Sequence, residues 1–302
     1  MTIFFNVFLP VVLVAGLAAL LQRLVYLDAR TVARAAFYLF GPALVFDSLA
    51  SSDVGAVEFG QISVVLIGVT AVMWALAEGA GRLLHLQAPT HSAFLLSILL
   101  MNAGNFGLPI VLFAFGDAGL ARASLYYAIS AALSNSLGVF LAARGSAPAS
   151  VAARRLLKVP LLYASVLGLV LNLAHVNLPT PFLRAVHLLG QASVPTMLVA
   201  LGMQLAQTFS RGLGSIRKPA LAVAVAGRLI VAPALTLVAA YVLGMPGLTR
   251  QVVAVEAGMP SAVIATILAA EFDCDVDFVA LTVFVTTAIS LITLATLLYW
   301  FT

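Results

Sequence analysis

The sequence predicts an all-α integral membrane protein of ten transmembrane helices, arranged as two inverted five-helix repeats with broken crossing helices 4 and 9. Three observations lead to this fold class: the composition, the spacing of the apolar runs and two glycine-proline interruptions. Of the 302 residues, 63% are hydrophobic and 9% are charged. A typical soluble domain has about 45–50% apolar and about 25% charged residues, so this chain is predicted to lie in a lipid bilayer.

Ten apolar runs, bounded by charged residues, glycine or proline, follow one another along the chain. Each is close to the ~20 residues that a helix needs to cross a bilayer. They fall at residues 3–22, 31–50, 60–84, 90–115, 119–143, 160–178, 181–207, 218–243, 248–271 and 276–301. The longest polar connection separates the fifth run from the sixth. The predicted organisation is therefore a first repeat at 1–144, a cytoplasmic linker at 145–159 and a second repeat at 160–302.

Short motifs of the first half recur in the second. Pro10-Val-Val-Leu returns as Pro160-Leu-Leu-Tyr, and Gly107-Leu-Pro109 returns as Gly258-Met-Pro260. Because five helices are an odd number, the second copy must enter the membrane from the opposite side. Inverted repeats whose discontinuous helices meet near the bilayer midplane are a known transporter architecture.

The lysine and arginine residues predict the orientation. They concentrate in the odd-numbered connections, as Arg23, Arg30, Arg34, Arg82, Arg144, Arg154, Arg155, Lys158, Arg211, Arg217 and Lys218. By the positive-inside rule these connections are cytoplasmic, which places both termini outside the cell inner (plasma) membrane. The net charge of +4 reflects this orientation, and no nucleic-acid partner is expected.

The two interruptions are the predicted functional centre. A proline removes one backbone N–H and clashes with the carbonyl four residues back, so helices 4 and 9 should break at Pro109 and Pro260. The carbonyls freed in this way would be those of Asn105 and Glu256. Paired interruptions in two halves point to a binding site. The residues assigned to substrate binding are Asn102, Asn105, Gly107, Pro109, Asn135, Glu256, Gly258, Met259, Pro260 and Ser261.

Three ionisable residues within the predicted helices are candidates for proton or charge coupling. Glu256 lies at mid-depth, where an ionisable side chain is a functional hypothesis by default and a packed, protonated glutamate is the alternative. Arg228 is expected to pair with Glu256 or with a substrate carboxylate, unless it snorkels to the interface. Glu78 lies one turn before Arg82, where an i,i+4 ion pair would satisfy it.

Enzymatic and metal chemistry is not expected. Cys274 is the only cysteine, and the four histidines fall near helix ends without metal-ligand neighbours. The acidic run at 271–277 imitates the start of a calcium loop, but Phe278 and Phe284 stand where the glycine and the glutamate belong. The sequence therefore predicts no catalytic residues, no cofactor and no metal site.

Several motifs together resemble the bacterial branch of the auxin efflux carrier family, relatives of the plant PIN-formed proteins. They are Asn102-x-x-Asn105-Phe-Gly-Leu-Pro109, Phe115-Gly116, Glu256-x-Gly-Met-Pro260 and Thr286-Thr287-Ala-Ile-Ser290. The resemblance covers essentially the whole chain. It implies a scaffold from helices 1, 2, 6 and 7 and a mobile transport unit from helices 3–5 and 8–10. A homodimer through the scaffold helices is an arrangement that it allows.

The resemblance also implies export or exchange of organic anions such as indole-3-acetate, malate or malonate. Helix amino ends exposed by the breaks would present N–H groups to a carboxylate. Phe106, Leu108, Met259 and Val263 would then cover a hydrophobic body. The predicted function is a secondary transporter that moves organic anions by alternating access at the crossed broken helices. A sodium- or proton-coupled organic-anion symporter of the bile-acid type is the alternative, and a receptor or channel is a further one.

Overall fold

The computed structural model describes residues 4–25, 27–143, 154–176, 178–209 and 217–301. Within these ranges the chain is helical and contains no β-strand. We number its helices α1 Phe5–Leu24, α2 Ala29–Ala50, α3 Ala56–Leu83, α4 Ala88–Leu99, α5 Ala103–Ala142, α6 Pro160–Leu173, α7 Thr180–Gln207, α8 Lys218–Val242, α9 Gly247–Ala257, α10 Ile264–Glu271 and α11 Val276–Phe301. The predicted linker at 145–159 lies outside the described residues up to residue 153.

Seven of the described helices are long and apolar enough to cross a membrane, namely α1, α2, α3, α5, α7, α8 and α11. Helices α4 and α6 are apolar but shorter. Large hydrophobic side chains such as Leu17, Val64 and Ile292 are exposed along the long helices, which suits contact with lipid chains. The prediction of an all-helical integral membrane protein is therefore confirmed.

Helix α5 is interrupted at Gly116. This residue has φ 64° and ψ −160°, a backbone conformation that is essentially restricted to glycine because it has no Cβ. Residues 103–115 and 117–142 are consequently separate helical segments. The predicted apolar run 90–115 ends just before this glycine, and the next run, 119–143, begins shortly after it.

The helices pack closely where small residues and capping side chains allow it. α1 packs against α7, and α2 packs against α6 and α7. On α7, Gly202 lies directly against the backbone of Ala15 on α1. Asn172 of α6 donates to Leu49 O at 2.8 Å and to Ser52 O at 2.6 Å, which satisfies the carboxyl end of α2. The remaining helices form a second group, in which α3 packs against α4 and α8, and α9 packs against α5 and α8.

A buried arginine joins three helices at one end of this second group, an arrangement that the sequence did not predict. Arg122 is 6% exposed and donates to Glu58 Oε1 at 2.7 Å, to Thr249 Oγ1 at 3.0 Å and to Asp53 Oδ1 at 3.2 Å. The hydrogen bond and the positive charge of Arg122 lower the pKa of Asp53 below its usual value. Arg122 thus ties α5 to α3, to α9 and to the connection that precedes α3.

We expect Gly202→Ala to destabilise the protein, because the added Cβ would collide with the Ala15 backbone. Over-packing of this kind costs about 1–3 kcal/mol, which lowers Tm by roughly 3–8 °C. Gly16→Ala on α1 is the matched control, since a Cβ there meets no atom within 4 Å. Thermal unfolding of the purified protein in detergent measures both variants. Equal Tm values for the two variants would contradict the packing argument.

Candidate binding site

The two interrupted segments lie side by side inside the protein. Residues 100–102 separate α4 from α5, and residues 258–263 separate α9 from α10. Met101 and Ser261, one from each stretch, form an isolated antiparallel β-bridge. Ser261 is fully buried. The expectation that the two discontinuous helices meet is therefore fulfilled in the structure.

Backbone hydrogen bonds hold this crossing together. Asn102 N donates to Pro260 O at 2.8 Å, and Ala262 N donates to Leu100 O at 2.8 Å. Ser261 adds a side-chain bond between the two breaks, because its Oγ donates to the backbone carbonyl of Ser97 at 2.6 Å. Unpaired backbone groups are costly where water is absent, so each break satisfies polar groups of the other.

The break in the first segment lies earlier than the sequence predicted. Helix α5 begins with a π-helical turn at Ala103–Gly107, and Pro109 follows this turn instead of opening the helix. The chain is non-helical at 100–102, before Asn105, so the prediction of a break at Pro109 was wrong. The π-helical turn is closed by a hydrogen bond from Gly107 N to Asn102 O at 3.1 Å. The non-helical stretch therefore lies before this turn, next to α4.

In the second segment Pro260 lies within the extended stretch, as expected. The carbonyl of Glu256 is not free, however, because it accepts a hydrogen bond from Met259 N at 3.2 Å. The prediction about this carbonyl was therefore also wrong. A tight turn after α9 thus uses the carbonyl that a simple proline break would have released.

Arg228 binds backbone carbonyls at the crossing and does not pair with Glu256. Its guanidinium donates through Nη1 to Ile98 O at 2.9 Å and through Nη2 to Ala257 O. These two carbonyls belong to the carboxyl ends of α4 and α9. Of the two pairings predicted for Arg228, the one with Glu256 is not formed, because the Glu256 carboxyl group lies against Gly107 instead.

The carboxyl group of Glu256 is completely buried. Neither of its oxygens has a hydrogen-bond partner in the described part of the chain. A Cβ on Gly107 would collide with both oxygens, so a larger residue here would force the carboxyl group to move. Gly107 belongs to the first turn of α5, and the positive end of a helix dipole favours an acidic group at such a place.

A cavity of about 720 Å³ opens on one side of the crossing. This volume is in the range of small-molecule sites. Three of the residues assigned to substrate binding line the cavity, namely Asn102, Asn105 and Asn135. The others lie at the crossing but do not line it: Gly107, Pro109, Glu256, Gly258, Met259, Pro260 and Ser261.

The cavity wall at the crossing is rich in hydrogen-bond donors. The amide Nδ2 of Asn102 is buried and has no partner within the described residues. The first turns of α5 and α10 contribute Gly104 and Ile264, so two helix amino ends lie at the wall. Ser130 and Ser134 of α5 add hydroxyl groups. Helix amino ends and free amide hydrogens are typical anion ligands.

Two arginines that line the cavity were not among the predicted site residues, because basic residues beside apolar runs also predict orientation. Arg30 and Arg34 lie in the first turns of α2, and no carboxylate of the described chain forms an ion pair with them. Ala33, Phe37 and Tyr38 line the same cavity. These five positions follow an i, i+3, i+4, i+7, i+8 pattern, so the sequence contained a signal for this helix face.

Among the described residues that line the cavity, the one acidic residue is already paired. Glu271, at the end of α10, accepts from Arg155 Nη2 at 2.6 Å. Since Arg155 precedes α6, this pair joins the two packing groups of helices. The charges that remain at the cavity are therefore positive.

The apolar part of the wall differs from the prediction. Val263 lines the cavity as expected, together with Ile264 and Ile267. Phe106, Leu108 and Met259 are instead buried in the protein core. Their places on the first turn of α5 and in the turn after α9 direct them away from the cavity.

Glu78 forms the predicted ion pair with Arg82, with 2.9 Å between Oε1 and Nε. Its other carboxyl oxygen lies 3.4 Å from His91 Nε2 on α4. Neither Glu78 nor Arg82 lines the cavity. Asp47, near the end of α2, pairs with His187, with 2.8 Å between Oδ2 and Nδ1, and this pair joins α2 to α7.

A lipid-exposed helical bundle with two paired helix breaks and an adjoining cavity is the arrangement of a membrane transport protein. Comparison with known proteins agrees. The Membrane transport protein family matches the chain twice, at residues 4–151 and 147–298. The chain belongs to this family, the auxin efflux carrier family.

Similar proteins in archaea are transporters without a described substrate. An uncharacterized transporter of Methanothermobacter thermautotrophicus is 32% identical over 276 residues, which cover 88% of this chain and 87% of that protein. An uncharacterized transporter of Methanocaldococcus jannaschii is 27% identical over 268 residues, which cover 85% of each chain.

We expect Gly107→Ala to lower the stability of the crossing, because the added methyl group would displace the Glu256 carboxyl group. Combining it with Glu256→Ala should recover part of the loss, since truncation removes the colliding oxygens. Contacting residues show coupling of about 0.5–3 kcal/mol in such cycles. Thermal unfolding of the two single variants and the double variant measures the coupling. Strictly additive Tm changes would show that the two residues do not touch.

Proposed function

We propose that this protein is a secondary transporter that moves small organic anions across the plasma membrane by alternating access at the crossing. The observation that carries the proposal is the cavity beside the crossing. Among the described residues, two arginines without ion-pair partners, two helix amino ends and Asn102 line it, and the one acidic residue that lines it is paired with Arg155. Such a surface attracts a carboxylate and repels cations.

Apolar residues beside these donors favour an organic anion over an inorganic one. Val263, Ile264, Ile267 and Phe37 cover part of the wall. A ligand with a carboxylate and a hydrophobic body would use both kinds of surface. Asn102, Asn105 and Asn135 are the proposed substrate ligands, and the buried residues of the crossing, including Gly107, Pro109 and Gly258 to Ser261, are proposed to support them.

The proposed architecture is ten spans in two inverted repeats. The long helices give seven spans, and α5 divides at Gly116, so that its first part completes a broken span with α4. Helices α9 and α10 complete the other broken span, and α6 is the tenth. The twofold family match, with the second copy beginning near residue 147, supports a repeat and the division at 1–144, 145–159 and 160–302.

The two packing groups of helices support a scaffold and a mobile unit. Helices α1, α2, α6 and α7 would form the scaffold, and the remaining helices would carry the crossing. The cavity lies between the groups, because α2 and α7 line it from one side and α5 and α10 from the other. Sliding of one group against the other would expose the cavity to each side of the membrane in turn. The scaffold surface is also the proposed face for a homodimer.

The proposed orientation places the cavity opening in the cytoplasm and both termini outside. On a Cys274→Ala background, we expect Lys158→Cys to react with a membrane-impermeant maleimide only in inverted vesicles. Val57→Cys, on an exposed position of the opposite side, should react in intact cells. Gel-shift labelling measures both. The reverse pattern would invert the proposed topology while leaving the fold unchanged.

We expect Arg30→Gln combined with Arg34→Gln to raise KM for organic acids, because the cavity would lose both cationic side chains. A loss of about 1–1.5 kcal/mol in attraction corresponds to a rise in KM of about tenfold, larger at low salt and for dicarboxylates. Uptake of radiolabelled malate, malonate and indole-3-acetate into liposomes that contain the purified protein measures the change.

Arg184→Gln is the matched control, since Arg184 is an exposed arginine of α7 that does not line the cavity. Its KM should equal that of the unaltered protein. Unchanged KM values for every acid in the double arginine variant would rule out the cavity as the anion site.

Coupling to protons is the second candidate, and the buried Glu256 carboxyl group favours it. A carboxyl group without a hydrogen-bond partner beside a helix amino end can gain and lose a proton as the crossing moves. The same liposome assay, run with imposed proton and sodium gradients, separates coupled from uncoupled transport. Membership of a transport family gives no reason to expect an enzyme.

A further inference from the structure

Arg228 is a buried cation with no carboxylate partner in the described part of the chain. Its side chain is 2% exposed, and no acidic residue of the described chain forms an ion pair with it. A charge removed from water is unfavourable unless other polar groups stabilise it. The polar groups that stabilise the charge of Arg228 therefore indicate what this residue does.

These groups are backbone carbonyls from two different helices. The last carbonyls of a helix lack intrahelical partners and carry the negative end of the helix dipole. Helices α4 and α9 both end at the crossing, and one guanidinium reaches Ile98 O with Nη1 and Ala257 O with Nη2. The planar fork of arginine has the donors to bind two acceptors at once, whereas an ammonium group is a single point of charge.

The helix that carries Arg228 is shaped for this contact. Arg228 lies in the π-helical turn Gly227–Val231 of α8, and such turns often occur at functional sites. A space of about 10 Å³ beside the guanidinium is lined by Thr70, Tyr126 and Thr236. This space holds at most about one water molecule. The guanidinium itself therefore occupies the position between the two helix ends.

We propose that Arg228 is a positioning residue that serves as the built-in cation of the crossing. It holds the carboxyl ends of α4 and α9 together, and it thereby fixes the amino ends of α5 and α10 that face the cavity. In carriers with broken helices, a bound sodium ion or proton occupies such carbonyl ends. Because the Arg228 guanidinium supplies this positive charge, no sodium ion or proton is needed between the carboxyl ends of α4 and α9. The effect on transport rests on the proposed function, whereas the effect on stability does not.

A comparison of Arg228→Lys with Arg228→Met tests the proposal. Lysine keeps the charge and methionine keeps only the apolar stem, so the lysine variant should be the more stable and should transport at least about tenfold faster than the methionine variant. Protein yield, Tm in detergent and the initial rate of organic-acid uptake measure the difference. A lysine variant that is no better than the methionine variant by any of these measures would overturn the proposal.

Arg228→Ala adds a test by chemical rescue. Guanidinium chloride at about 20 mM should raise its Tm and uptake rate, because the free ion binds the vacated position in the folded state. Urea at the same concentration has a similar shape and no charge, so it should have no such effect. An alanine variant that behaves like the unaltered protein, or one that responds equally to urea and guanidinium, would overturn the role of the charge.

Arg217→Ala is the matched control, because Arg217 also donates to carbonyls at a helix end. Its Nη1 lies 3.0 Å from Leu84 O and 3.1 Å from His85 O, but the residue is exposed and remote from the cavity. Its removal should leave uptake unchanged and produce no response to guanidinium. If the unaltered protein transports none of the acids, the proposed function fails, and the Tm values of the lysine and methionine variants still decide the role of Arg228.

Discussion

The structure depends on one interaction, the backbone pairing of two interrupted helices inside the protein. Two backbone hydrogen bonds, from Asn102 to Pro260 and from Ala262 to Leu100, replace those that ordinary helical geometry would supply. Without them, extended backbone could not remain at this depth, because lipid and apolar side chains offer no replacement partners. The cavity, the buried carboxyl group and the arginine contacts are all built around this short bridge.

The crossing separates opposite charges onto two sides. Helix amino ends and Asn102 lie at the cavity, whereas the helix carboxyl ends are bound by Arg228, which does not line it. If the ends of α4, α5, α9 and α10 met in any other arrangement, ends with partial charges of the same sign would lie together. Their arrangement gives the two carboxyl ends a partner of opposite sign, and it leaves the two positive ends at the cavity.

Much of the fold could be predicted from the sequence, because hydrophobic length and helix-breaking residues are local properties. The long apolar runs, the interruption at Gly116 and the Glu78–Arg82 pair all follow from short stretches of sequence. The partner of Arg228 could not be predicted in this way, since it depends on which helix ends come together in space. Arg30 and Arg34 illustrate a different limit. Their helical spacing was visible, but a basic residue near a span end is equally typical of orientation, and only the cavity that α2 lines together with α10 distinguishes the two roles.

The bridge between Met101 and Ser261 also has a consequence for how the chain is assembled. Each half of the chain contains a few extended residues with unpaired backbone N–H and C=O groups, and the residues that pair with them lie in the other half. During synthesis, the first half must therefore keep its edge unsatisfied, or covered by water or another protein, until the second half is inserted. The two halves are thus mutually dependent in folding, and the point that binds them is the same point that forms the wall of the cavity.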